Sequence, residues 1–202
     1  MVQKLIYILG GLRRFFLGFP LRRKIKNKFF TIISNNCWGS ELYQELRIPY
    51  QTPFVGLFIK PESYLKLLKN LKKYLNSEIK FTKTLPYPVG VLGEDVEIHF
   101  LHYKTTQEAL EKWQRRVKRI HWDRLLVKFD DLEIENHVEW IHEFGRLPFQ
   151  SKVCFVTQSS RAEIQGTFYL QGATKWPYAP SGGQLYRISR REFDLAKWVQ
   201  SN

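Results

Sequence analysis

The chain mixes short, continuous apolar runs with longer stretches whose apolar residues recur every three or four positions. The runs Phe30–Ser34, Phe54–Ile59, Leu125–Phe129 and Lys152–Thr157 have the length and character of buried strands. Val96–Tyr103 alternates instead, with Ile98, Phe100 and His102 on one side and Glu97, His99, Leu101 and Tyr103 on the other. Glu78–Thr82 and Val89–Leu92 are shorter strand candidates, set apart by Pro86 and Pro88. Helical spacing starts at Pro61: Tyr64, Leu65, Leu68, Leu71 and Leu75 make the buried stripe and Lys66, Lys69, Lys72 and Lys73 the wet face. A second helix follows Thr105, whose spacing to Glu108 suits a capping box, and buries Ala109, Trp113, Val117 and Ile120. Further helices are expected around Ile134–Phe144 and Arg190–Gln200, the latter after a loop at 176–183. This order predicts a three-layer α/β domain over residues 29–202, a mostly parallel sheet with helices on both faces.

Residues 1–28 read as a separate basic amphipathic arm. Lys4, Arg13, Arg14, Arg22, Arg23, Lys24, Lys26 and Lys28 alternate there with Leu, Ile and Phe, and no acidic residue intervenes. Its longest charge-free run, Leu5–Leu12, falls well short of the roughly 20 apolar residues a bilayer span needs. Such an arm suits the interface of an anionic membrane, and equally a helix packed on the domain. The whole chain carries a net charge of +13, which directs attention to anionic partners. Nucleic acid is disfavoured, because the basic residues alternate with aliphatic ones and no recognisable nucleic-acid motif is present. The two cysteines, Cys37 and Cys154, form no disulfide framework and no zinc spacing. The expected location is therefore the cytoplasm, at the inner face of the membrane. The sequence specifies no cofactor.

Candidate chemistry gathers where the first strand ends. Ser34, Asn35, Asn36, Cys37 and Trp38 fill the turn into a helix, where backbone N–H groups and the helix dipole favour ligands. Cys37 at that terminus could act as a nucleophile with His102 as its base, in acyl-transfer or hydrolytic chemistry. With one Cys and no G-x-C-x-G-type elbow, a packed, unreactive thiol is the favoured reading. Arg115, Arg116 and Arg119 offer guanidinium groups to a phosphate, although Glu108–Lys112 and Glu111–Arg115 also read as i,i+4 pairs on a solvated face. Asp130 and Asp131 are weak metal candidates, since Asp130-x-x-Glu133 also has a capping spacing. Cys37, His102 and the arginine helix are expected around one polar pocket at the strand ends.

The segments 33–39 (Ile-Ser-Asn-Asn-Cys-Trp-Gly), 53–58 (Pro-Phe-Val-Gly-Leu-Phe), 99–103 (His-Phe-Leu-His-Tyr), 112–120 and 127–131 (Val-Lys-Phe-Asp-Asp), in this order, resemble a bacterial family of unknown biochemical function labelled exopolysaccharide biosynthesis protein. A fainter similarity to putative papain-like cysteine peptidases rests on Ser34, Cys37, His102 and the arginine cluster. The resemblance implies surface-polysaccharide biosynthesis, with a membrane-peripheral transferase acting on a glycan, a phosphorylated sugar or an activated sugar. A non-catalytic module that docks on a membrane or a partner is the alternative.

Overall fold

The computed structural model describes residues 18–134, 137–175 and 179–201. In chain order its elements are α1 (Phe19–Lys24), β1 (Thr31–Ser34), α2 (Trp38–Leu46), α3 (Pro61–Lys69), α4 (Leu71–Leu75), β2 (Ile79–Thr84), β3 (Pro88–Leu92), β4 (Val96–His99) and α5 (Thr106–Val117). Then come β5 (Leu125–Asp130), α6 (Glu139–Arg146), β6 (Ser151–Val156), β7 (Thr167–Tyr169), α7 (Gly182–Glu192) and α8 (Leu195–Gln200). The α/β expectation holds: β1, β5, β6 and β7 form a parallel sheet in that order. A separate antiparallel sheet, β2-β3-β4, lies in the long crossover between β1 and β5.

Alternation along the parallel strands divides the interior in two. Ile33, Val127, Phe129, Cys154 and Val156 face α3, α4, α5, α6 and the antiparallel sheet. Ile32, Leu126, Val153 and Phe155 face α1, α2, α7 and α8. Leu21 and Ile25 are buried in this second core, so residues 19–25 pack on the domain, whereas the rest of the proposed arm, 1–17, lies outside the described residues.

Several elements depart from the sequence pattern. Phe54–Ile59 is a loop in which only Phe58 bridges to His99. Pro53 accepts from Val55 N–H in a tight turn, and Gly56 takes φ +69°, a left-handed conformation that glycine adopts without strain. Its apolar side chains are nonetheless buried, because the loop crosses the strand ends; a continuous apolar run does not distinguish the two cases. β4 stops at His99, so His102 lies in the turn beyond it. The last helix breaks at Phe193, whose ring packs on Phe155 and Phe168, and Asp194 caps α8 by accepting from Lys197 N–H. Finally, the parallel strand order never reverses, so the sheet itself opens no crevice of the kind a doubly wound sheet has.

β1 is an edge strand, and side chains finish its hydrogen bonding. Ile32 N–H donates to the Tyr43 hydroxyl, which donates in turn to Phe30 O. The Thr52 hydroxyl donates to Ile32 O, and the Thr31 hydroxyl to Gln51 O. Covered this way, the edge cannot recruit another strand, and residues 51–52 are pinned beside it.

Candidate functional site

The β1–α2 turn sits over a buried charge. Register pairs Ser34 with Lys128, so Lys128 lies under the last residue of β1, and Asp130 follows on the same face. Both side chains are enclosed, Lys128 at 0% exposure. The Lys128 ammonium contacts Asp130 Oδ2 and donates to Asn36 Oδ1 at 3.2 Å and Asn35 Oδ1 at 3.3 Å. Asn36 Nδ2 donates to Asp130 Oδ2 at 2.7 Å, while Asn36 Oδ1 also accepts from Trp38 N–H at 3.1 Å. One amide thus clamps the strand-end ion pair to the first turn of α2. Burial pushes the Lys128 ammonium down, and Asp130 opposes that shift. Behind the pair, the Tyr64 hydroxyl is shared between Ile33 O at 3.0 Å and Lys128 O at 2.9 Å. Ser34 Oγ and Asn35 Nδ2 are buried polar atoms with no protein partner in this arrangement.

Cys37 is the N-cap of α2 and is only half-buried. Its Sγ lies 3.8 Å from Leu57 O, and the Gly56 N–H favours its ionised form. Burial is the largest influence and, with Glu41, pushes the thiol up; Lys128 and the Gly56 N–H pull against this. At neutral pH the group is therefore a thiol, and it needs a base to become a nucleophile. The loop from 52 to 59 connects it to the antiparallel sheet. Ile59 N–H donates to Asn35 O, Phe58 exchanges two backbone bonds with His99, and His102 N–H donates to Gly56 O at 3.0 Å. A Cβ at Gly56 would stand 3.1 Å from His102 Cβ. Cys37 and His102 are thus both neighbours of Gly56, with the His102 side chain exposed.

The remaining sequence candidates separate. Trp38 is fully buried, its Nε1 donating to Ser189 Oγ at 2.9 Å, which makes it an anchor for α7. Arg116 is turned inward: it donates to the Tyr103 hydroxyl at 2.6 Å and lies over the Tyr50 ring. Tyr103 donates to Val55 O at 2.6 Å, so Arg116 braces the Gly56 loop from behind. Arg115 and Arg119 are exposed, and Arg119 reaches Tyr50 O at 3.5 Å. Asp130 and Asp131 belong to different ion pairs. Asp131 accepts from Arg161 at 2.8 Å and from the Thr157 amide and hydroxyl. Among the described residues, no group of three His, Cys, Asp or Glu could hold a metal ion. A cavity of about 350 Å³ lies elsewhere, between α1 and the α7–α8 corner.

Sequence reasoning missed Lys128, Gly56 and Gly182. A lone Lys within an apolar strand, with Asp two positions on, was the available sign, because that spacing puts both on one buried face. Gly182, the first residue of α7, has no such sign: a Cβ there would meet Trp38 N at 2.9 Å and both Cys37 N and Asn36 Oδ1 at 3.0 Å. Since these are backbone and clamped atoms, Gly182→Ala is expected to cost about 1–3 kcal/mol by overpacking. It should also change the alkylation rate of Cys37, measured with iodoacetamide on the native protein; an unchanged rate and stability would show that α7 can retreat freely.

A family model described as "Domain of unknown function (DUF1919)" matches residues 10–199. An "Uncharacterized protein" of Haemophilus influenzae is 35% identical over 204 residues, covering 97% of this chain and 96% of that protein.

Proposed function

The chain belongs to the family described as "Domain of unknown function (DUF1919)", and we propose that this member is an enzyme of surface-polysaccharide assembly, a transferase that moves an acyl group onto a glycan through Cys37. The observation that carries the reading is that Cys37 and His102 both border Gly56, at the end of a parallel strand and the start of a helix. In the reaction, His102 takes the Cys37 proton as Sγ bonds to the acyl carbon of the donor. The donor's leaving oxygen or sulfur receives that proton as its bond to carbon breaks. A sugar hydroxyl then attacks the thioester, its proton passing through His102 to the departing Sγ. With water in place of the sugar hydroxyl, the same steps give hydrolysis. A thiol held up by burial suits this scheme, since it is protonated until substrate and base are both present.

Asn35 and Asn36 are buried in the turn that carries the reacting sulfur, and Asn36 holds that turn through Asp130 and Trp38 N–H. Arg116 serves the loop, and Arg119, beside Tyr50 O, lies at the opposite edge of the domain from Cys37. We place the enzyme at the inner face of the membrane, held by residues 1–28; no helix among the described residues is long and apolar enough to cross a bilayer.

The test is a trapped intermediate. Incubated with p-nitrophenyl acetate and quenched in acid, the protein is expected to gain one acetyl group, mapped by peptide mass spectrometry to Cys37. Cys37→Ser should carry no acid-stable thioester, and cells with that variant should lose surface glycan while keeping normal protein levels. Glycan unaffected by Cys37→Ser would overturn the reading.

A further inference from the structure

The edge of the domain opposite Cys37 has an unusual surface. β1 begins at Thr31 and β5 at Leu125, so the residues just before them lie at the N-terminal edge of the parallel sheet. Phe29 there is 69% exposed and Trp122 39% exposed. They belong to one patch: the Phe29 ring meets His121 at 5.7 Å, and His121 N–H donates to Thr31 Oγ1.

Cations surround the rings. Lys72 Nζ stands 5.4 Å from the Trp122 ring centroid. Lys118 and Arg119 are exposed in the connection from α5 to β5 that carries Trp122, with Asp123 as an acid among them. A protein of net charge +13 that sets exposed Phe29 and Trp122 beside these cations presents there the chemistry of a bilayer-contacting face. Aromatic rings settle at headgroup depth, and Lys and Arg attract anionic lipid.

We infer that this edge of the folded domain docks on an anionic bilayer, with Phe29 and Trp122 entering the headgroup layer. The inference rests on the membrane placement proposed above and adds a second contact beyond residues 1–28, one that turns the Cys37 edge away from the lipid. Nucleic acid would meet the same cations, but single rings set apart by a turn offer bases no continuous stacking platform.

The test is flotation of the full chain with vesicles of phosphatidylglycerol and phosphatidylcholine, comparing wild type with Phe29→Ala/Trp122→Ala. The double variant is expected to keep the wild-type urea midpoint, both side chains being exposed, and to lose about tenfold or more in partition onto the anionic vesicles. Equal partition of the two proteins overturns the docking face while leaving residues 1–28 as the anchor. Failure of the wild type to bind anionic vesicles overturns both, as does binding to a single-stranded RNA oligomer in place of vesicles. Acetylation of Cys37, read separately, is independent of all these outcomes.

Discussion

Lys128→Met is expected to lower the unfolding free energy by about 3–5 kcal/mol, the usual cost of removing one partner from a buried ion pair. Methionine fills a similar volume but leaves the Asp130 carboxylate enclosed, with Asn36 Nδ2 at 2.7 Å and Leu132 N–H at 3.4 Å as its remaining donors. The Lys128→Met/Asp130→Leu double variant should recover much of the loss, because a buried pair replaced by apolar groups of similar volume is often neutral or better. Urea denaturation measures both. If the double variant were as unstable as the single, the cost would come from packing, and the charge argument would fail. The comparison also bears on the site: Asn36 loses two of its partners in the double variant, so Cys37 should become more accessible even where stability returns.

His102→Ala is expected to slow acyl transfer by roughly 10²–10⁴-fold at neutral pH, the range typical of a lost general base. The deficit should shrink as pH rises. Burial holds the thiol pKa above its ordinary value, so Cys37 stays protonated at neutral pH and its thiolate fraction grows about tenfold per pH unit below that pKa. An alkaline solution therefore supplies the ionisation that the proposed mechanism assigns to the imidazole. A pH–rate profile of both proteins checks this, and a wild-type to variant ratio that stays constant with pH would remove His102 from the base role.

Much of the architecture was legible because it depends on local periodicity. Pro61 opens α3, and Thr105 caps α5 by accepting from Glu108 N–H at 3.1 Å, as their spacings indicated. The parallel strands at β1, β5 and β6 follow from apolar runs that bury both faces. Phe54–Ile59 was misread because burial alone makes a run apolar, and what bends it, Gly56 with Pro53, shows only as ordinary turn residues. Within the candidate site, Ser34–Cys37 could be picked out from the strand-to-helix transition. Lys128 left only the sign of a lone Lys two positions before Asp130, because its other partner, Asn36, comes from 92 positions away. The inward turn of Arg116 was hidden for a similar reason. Its helical face was readable, but Tyr103 and Tyr50, which receive it, come from other elements.

The separations across the site determine when it can exist during synthesis. Asn36 meets Asp130 across 94 positions and Trp38 meets Ser189 across 151. A growing chain therefore carries the thiol long before it has the lysine beneath it, the histidine that shares its Gly56 neighbour or the glycine that closes over its amide. Until β5 emerges, Phe30, Ile32 and Ile33 have no sheet partner, and this nascent segment is a natural place for a chaperone to hold. Only when the final two helices leave the ribosome do Trp38 and Gly182 lock the turn. Products of interrupted translation would then hold Cys37 as an ordinary solvated thiol, without the surroundings that the proposed acyl transfer requires.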